Sequence, residues 1–288
     1  MFGSYGVWSR LIGGSLGIFY QSWTRALLLS LVIFPIIYFS GQLVSVKWAD
    51  RKWMSVFLIS TSLTQAPIFY AFNHMDIGTA TLLFFTSTLL TMYVFGFLFL
   101  GEELRRTRIV SFCLACIGLY ITFSFSLAAF SMLAACMAIL NGTASGVELA
   151  SSKKLTGSYS ALYITWLSWV VIFVTNGTIS VALGETQYLP ALNLTWVYVV
   201  GFAIASILGF WFAIEGLKYI EASIGGLLGL LEIIFSIGFG IMIFHESLTP
   251  KVIAGGILIM CAAVLPYVVE LFGARSKKHK FTRWTFYR

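Results

Sequence analysis

Seven side chains carry polar or aromatic chemistry where the surrounding chain is apolar: Arg25, Thr64, Gln65, Thr88, Asn141, Trp211 and Glu232. Glu232 is the most demanding, in the run GLLEIIFSIGFGIMIFHES over residues 229–247. A charge at the centre of a membrane helix costs ~2.5–3.5 kcal/mol on insertion scales, so the carboxyl is expected to face protein or a water-filled cavity. There it can carry a proton or act as counter-charge to a cationic or zwitterionic ligand. The alternative is a protonated Glu232 hydrogen-bonded to Ser236 or to a neighbouring helix. Gly225, Gly229, Glu232, Ser236 and Gly240 fall at i, i+4, i+7, i+11 and i+15, one stripe on a helix. Small residues in such a stripe permit close helix packing.

The remaining candidates have similar paired readings. Thr64 and Gln65 lie in STSLTQAP (60–67), where they can bind a ligand, and Pro67 is expected to kink the helix and free backbone carbonyls. Asn141 and Trp211 read as cavity lining or as interhelical packing. Arg25, roughly nine residues into its apolar run, is expected to snorkel towards the interface. A cavity-facing arginine would instead hold a substrate carboxylate. Other charges read as structural: Glu148 near Lys153 and Lys154, Glu215 paired with Lys218, and Glu102 and Glu246 fixing loops through backbone hydrogen bonds.

Enzyme chemistry finds little support. The sequence has no HExxH, no P-loop, no GxGxxG at a strand–helix junction and no metal-spaced His or Cys cluster. GTASG (142–146) has its serine fourth rather than third, unlike a nucleophile elbow. Cys113 and Cys116 have CxxC spacing, but all four cysteines fall in apolar runs and read as packing residues. No cofactor and no metal are expected.

The elements that must position the seven are long apolar helices. Of 288 residues 59% are hydrophobic and 10% charged, with a mean hydropathy of +0.92. A soluble domain holds roughly a quarter charged residues, so this chain is expected to be an all-α polytopic membrane protein. Ten spans follow: 2–13, 16–40, 53–72, 78–100, 108–127, 129–150, 160–183, 195–214, 222–244 and 250–272. Fifteen of the 18 Lys and Arg lie in the loops after even-numbered spans or in the tail. Basic loops stay cytoplasmic, so both termini are expected inside an inner or plasma membrane. The net charge of +7 then reports topology and not nucleic-acid binding.

An internal repeat appears at an offset of 144, where FGFLFLGEELRRTRIVS (95–111) lies over FGIMIFHESLTPKVIAG (239–255) without a gap. It pairs Gly96 with Gly240, Glu102 with Glu246, Thr88 with Glu232 and Arg10 with Lys154. Five spans per repeat is an odd number, so the two copies must enter the membrane in opposite senses. The expected units are 1–127, 128–272 inverted on the first, and a basic cytoplasmic tail, 273–288. Span six begins near Ala129, whose mate would be residue −15. The first span is therefore expected to be truncated, with a genuine half-span as the alternative.

GTATLLFFTSTLL followed by FLGEEL, and LLGLLEIIF followed by FHESLTPKVIAGGILIM, resemble the EamA-type drug/metabolite transporter superfamily. The resemblance spans essentially the whole chain. It implies a secondary transporter, most often an exporter of amino-acid-like compounds, working by alternating access around a midplane cavity. Spans one, three, four, six, eight and nine would line that cavity, with five and ten peripheral. A small-molecule substrate, a lipid bilayer, proton coupling and a monomer or homodimer are the implied partners. A nucleotide-sugar-type antiporter and a non-transporting scaffold are the alternatives. The sequence departs from the family pattern at Ile233, where proline is frequent, and in its short first helix.

Overall fold

The computed structural model describes residues 2–102, 106–126, 132–229, 232–246, 250–251, 253–262, 264–266 and 268–269. The basic tail expected at 273–288 lies outside them. The helices are α1 (Tyr5–Ile12), α2 (Ile18–Phe39), α3 (Arg51–Thr61), α4 (Ala66–His74), α5 (Ile77–Phe99), α6 (Arg106–Ser126), α7 (Met132–Leu155), α8 (Ala161–Ala182), α9 (Leu194–Gly216), α10 (Ala222–Gly229) and α11 (Glu232–Phe244). A last helical stretch covers 253–262.

Six segments among the described residues are long and apolar enough to cross a membrane: Ile18–Phe39, Trp48–His74, Ile77–Phe99, Met132–Leu155, Ala161–Ala182 and Leu194–Gly216. Shorter apolar helices include Ile109–Gly118 and Glu232–Phe244. On α2, Leu29, Ile33 and Ile37 are buried, yet Leu31, Val32, Phe34 and Ile36 on the other side are exposed. A helix apolar all round, with half its surface outward, suits lipid and not water.

The third apolar segment is interrupted where Pro67 was expected to kink it. α3 stops at Thr61, and Leu63 and Thr64 donate to Ser60 O and Thr61 O in a tight turn at 3.0 and 3.1 Å. α4 restarts at Ala66 with Pro67 in its first turn, where a missing N–H is tolerated. The break leaves Leu63 O free to accept from Asn141 Nδ2 on α7 at 3.3 Å.

α5 is the central post, packed against α7, α10 and α11, while α2 packs on α8 and α1 on α9. Gly142 and Gly146 let α7 lie directly on α5. A Cβ at Gly142 would collide with Phe84 O, and one at Gly146 would stand 2.8 Å from Thr88 O. The GTASG segment is thus a close-packing surface. α6 borders α5, and Gly118 on α6 meets Ile259 of the last stretch.

The repeat is visible in the helix ends, with a small shift in register. α2 and α8 match end for end at an offset of 143, as do the last residues of α1 and α7. Gly41 and Gly184, with φ of 67° and 71°, terminate α2 and α8 in the same left-handed turn. The 144 offset holds after α5 and α11, where Gly101 (φ 69°) matches His245 (φ 54°). The structural mate of Arg10 is therefore Lys153 and not Lys154.

Candidate functional site

Two clamps hold the ends of α5. After α5 the chain turns, Glu102 N donates to Gly96 O at 3.1 Å, and the carboxylate folds back over Gly96. Its Oε1 accepts from Ala222 N, the first residue of α10, at 2.7 Å. Lys153 Nζ lies 3.5 Å from that oxygen and donates to Ile220 O at 2.6 Å. After α11 the pattern repeats: Glu246 N donates to Gly240 O at 3.2 Å, and Glu246 Oε1 accepts from Ile77 N, the first residue of α5, at 3.0 Å. Arg10 forms an ion pair with Glu246 and donates to Met75 O at 2.8 Å and Phe72 O at 3.2 Å. Each carboxylate satisfies otherwise orphaned N–H groups and sits at the positive end of a helix dipole. The expectation that these two acids fix the loops through backbone bonds matches this geometry. Asp76 stands just before α5, where partial burial first and the Glu246 carboxylate second push its carboxyl up, with Arg10 acting against them.

Between the clamps lies a buried polar centre. Arg25 of α2 is 1% exposed and does not snorkel. Its guanidinium carbon stands 3.8 Å from the ring centroid of Phe202, 5.0 Å from Phe69, 5.3 Å from Trp169 and 5.7 Å from Tyr5. One Nη donates to Gln65 Oε1, while Nε and Nη1 are buried without a hydrogen-bond partner. Four π faces attract a desolvated cation, each contributing up to ~2 kcal/mol. Arg25 missed the outer interface because α2 turns this side chain towards α4, α8 and α9.

Glu148 of α7 is the residue that sequence reasoning placed wrongly. It is 3% exposed and lines the centre instead of sitting with the lysines at the helix end. Its Oε1 accepts from Thr61 Oγ1 at 2.8 Å and Ser168 Oγ at 2.7 Å. A signal was present: Asn141, Ser145, Glu148 and Ser152 recur at i, i+4, i+7 and i+11, a polar stripe on one face of α7.

Two cavities meet here. The smaller, about 70 Å³, is bordered by Tyr5, Gln65, Asn141, Glu148 and Trp169, among others. Arg25 stands one side chain behind that wall. The larger, about 410 Å³, is mostly apolar, with Met92, Phe212, Leu217 and Ile220 in its wall and Glu232 on its edge. Phe85, Thr88 and Leu149 border both.

Six of the seven sequence candidates are in or against these cavities. Thr64, Gln65 and Asn141 line the smaller one, Thr88 both, and Glu232 the larger, with Arg25 behind Gln65. Thr88 Oγ1 donates to Phe84 O at 2.9 Å and Gly142 O at 3.1 Å. Glu232 opens α11, half-buried, and accepts from Gly3 N at 2.9 Å. Ser236 bonds to Thr81 Oγ1 at 2.6 Å, so the two small-residue stripes do face each other. Trp211 is the exception: it packs with the cluster around Ala26 and Phe210 and stacks on Phe212 at 5.2 Å. Tyr5, Thr61, Ser168 and Trp169 were not anticipated, because their roles depend on which helices face each other. The pairing of Glu215 with Lys218 is as expected, at 2.6 Å.

An apolar helical bundle enclosing a satisfied but incompletely paired polar centre is the architecture of a membrane transporter. The family model of the EamA-like transporter family matches residues 1–124 and 132–268, one match per repeat. The chain belongs to that family. It is similar to the pseudopaline exporter CntI of Pseudomonas aeruginosa, at 25% identity over 198 residues and 68% of each chain, in strains UCBPP-PA14 and PAO1. A solved crystal structure shares the fold, with a TM-score of 0.68 at 16% identity over 93% of this chain and 95% of the other.

Proposed function

We propose that the protein exports small amphipathic metabolites, amino-acid-like in chemistry, by alternating access of two five-helix halves. The observation that carries this reading is the pair of adjoining cavities between the halves, one polar around Glu148 and one apolar reaching Glu232. Inversion of the halves, and hence ten spans, is supported by the clamps. The start of α10 sits at the end of α5, and the start of α5 at the end of α11, so these two homologous spans run head to tail. The likeness to an exporter supports outward movement. Loop charge supports cytoplasmic termini in an inner or plasma membrane, and the units 1–127 and 128–272 follow the repeat. The protein acts as a monomer or homodimer.

Proton coupling is assigned to Glu232. Proteoliposome flux against a panel of amino acids, amines and sugars, with and without a pH gradient, tests both parts. Glu232→Gln is expected to remove the gradient-driven component and leave the protein folded. Unchanged gradient-driven flux would return Glu232 to a structural role as acceptor for Gly3. No flux of any panel member would sink the exporter reading.

A further inference from the structure

The hydrogen bonds of Glu148 are lopsided. Both donors, Thr61 and Ser168, fall on Oε1, and Oε2 takes no hydrogen bond among the described residues. Seven residues earlier on α7, Asn141 is fully buried, spends Nδ2 on Leu63 O and leaves Oδ1 with no partner. Both side chains border the 70 Å³ cavity. A buried acceptor without a donor costs about 1–3 kcal/mol, more for a charged group. Two such acceptors on one helix face therefore describe a place waiting for a donor.

The size of the space says which donor. Ligand pockets run about 300–1,000 Å³, so a cavity of about 70 Å³ holds a head group and the adjoining one of about 410 Å³ holds a body. The body cavity is walled by Phe85, Met92, Phe212 and Leu217, with four glycines leaving room. Among the charges, Glu148 faces the head-group space and Glu232 the body space, whereas Arg25 stands behind Gln65 and is occupied with four rings. The exposed charges favour a cation. Trp169 Nε1, also buried and unpaired, offers a donor to an acceptor next to that head.

We infer that Glu148 and Asn141 form a subsite for the ammonium group of a primary amine, whose apolar body lies in the larger cavity. The inference rests on the exporter reading and narrows its substrate class: protonated amines or amino-acid-like zwitterions with a hydrophobic side, not anions. The ammonium hydrogens would meet Glu148 Oε2 and Asn141 Oδ1, a charge-assisted pairing.

Calorimetric binding to the purified full-length chain in nanodiscs tests it with three ligands sharing one apolar body: 2-phenylethylamine, 2-phenylethanol and 3-phenylpropanoate. The amine is expected to bind about tenfold or more tighter than the alcohol, with the carboxylate weakest. Glu148→Gln is expected to bring the amine down to the affinity of the alcohol and leave the alcohol unchanged, while the surface variant Glu215→Gln keeps the preference. Equal binding of amine and alcohol in the unmodified protein, or tightest binding of the carboxylate, overturns the subsite even if Glu148→Gln does not fold. The outcome is separable from the exporter reading because no flux is measured. Amine binding without proteoliposome transport would sink the exporter and keep the subsite, and flux of other compounds without amine preference would do the reverse.

Discussion

The ends of α5 and its middle follow different rules. At the ends the two halves are near copies: a left-handed residue, a glutamate folded over a glycine, the first N–H of the opposing helix, and a cation tied to a carbonyl just upstream of it. At the middle the copies diverge. The 143 offset sets Arg25 opposite Ser168 and Tyr5 opposite Glu148, and these equivalents do touch within each half. One half thus presents a cation on an aromatic face, the other an acid on a hydroxyl. The difference teaches where selection for architecture ends and selection for ligand begins. Helix termini have orphan groups that any copy must satisfy, whereas a binding centre gains by holding unlike charges at equivalent positions.

The sharpest way to break the contrast is Arg25→Leu. If the centre serves ligand and not fold, proteoliposome flux should fall by about a hundredfold, consistent with loss of a buried charge interaction. The thermal midpoint in detergent should hold or rise, since an apolar side chain of similar volume often replaces a buried charge without loss. A collapse of stability with flux lost alongside would make Arg25 part of the frame.

The clamps should behave in the opposite way, costing stability first. Glu246→Gln is expected to destabilise by about 2–3 kcal/mol and Glu102→Gln by about 1–2 kcal/mol, measured by thermal unfolding in matched detergent. The order follows from the cations: Arg10 is ion-paired to Glu246 and bonded to two carbonyls, while Lys153 is 3.5 Å from Glu102. Equal losses would mean that the helix N-termini, and not the cations, carry the clamps.

The smallest effect isolates one asymmetry between the ends. Asp76 is held above the ordinary carboxylate range beside Glu246. A raised carboxyl contributes stability that is full below its unfolded value and is lost as pH rises through the folded one. Asp76→Asn should therefore be slightly more stable than the unmodified chain at neutral pH, and the gap should close as pH falls below the usual aspartate range. A gap that persists in acid would assign the gain to something other than charge.

Much of the frame was legible beforehand. The helices over 18–39, 77–99, 161–182 and 194–216 lie within a few residues of their apolar runs. The FG…E register anticipated both clamp glutamates. The stripe logic that placed Glu232 inward also brought Thr81 to Ser236. The centre was only partly legible. Glu148 was read with its neighbouring lysines because sequence distance to Lys153 is short. The α7 stripe that carries it with Asn141 was overlooked, since three serines and an asparagine do not announce a cavity.

By itself the sequence determined the membrane setting, the run of helices and their repetition, because hydropathy and the helical period act over a few turns of one chain. Only the tertiary structure decided that Arg25 is enclosed by rings and that Glu148 opens onto a cavity. Burial belongs to pairs of helices far apart in sequence, and the approach of α7 to α5 at Gly142 and Gly146 sets which side chains share the remaining space.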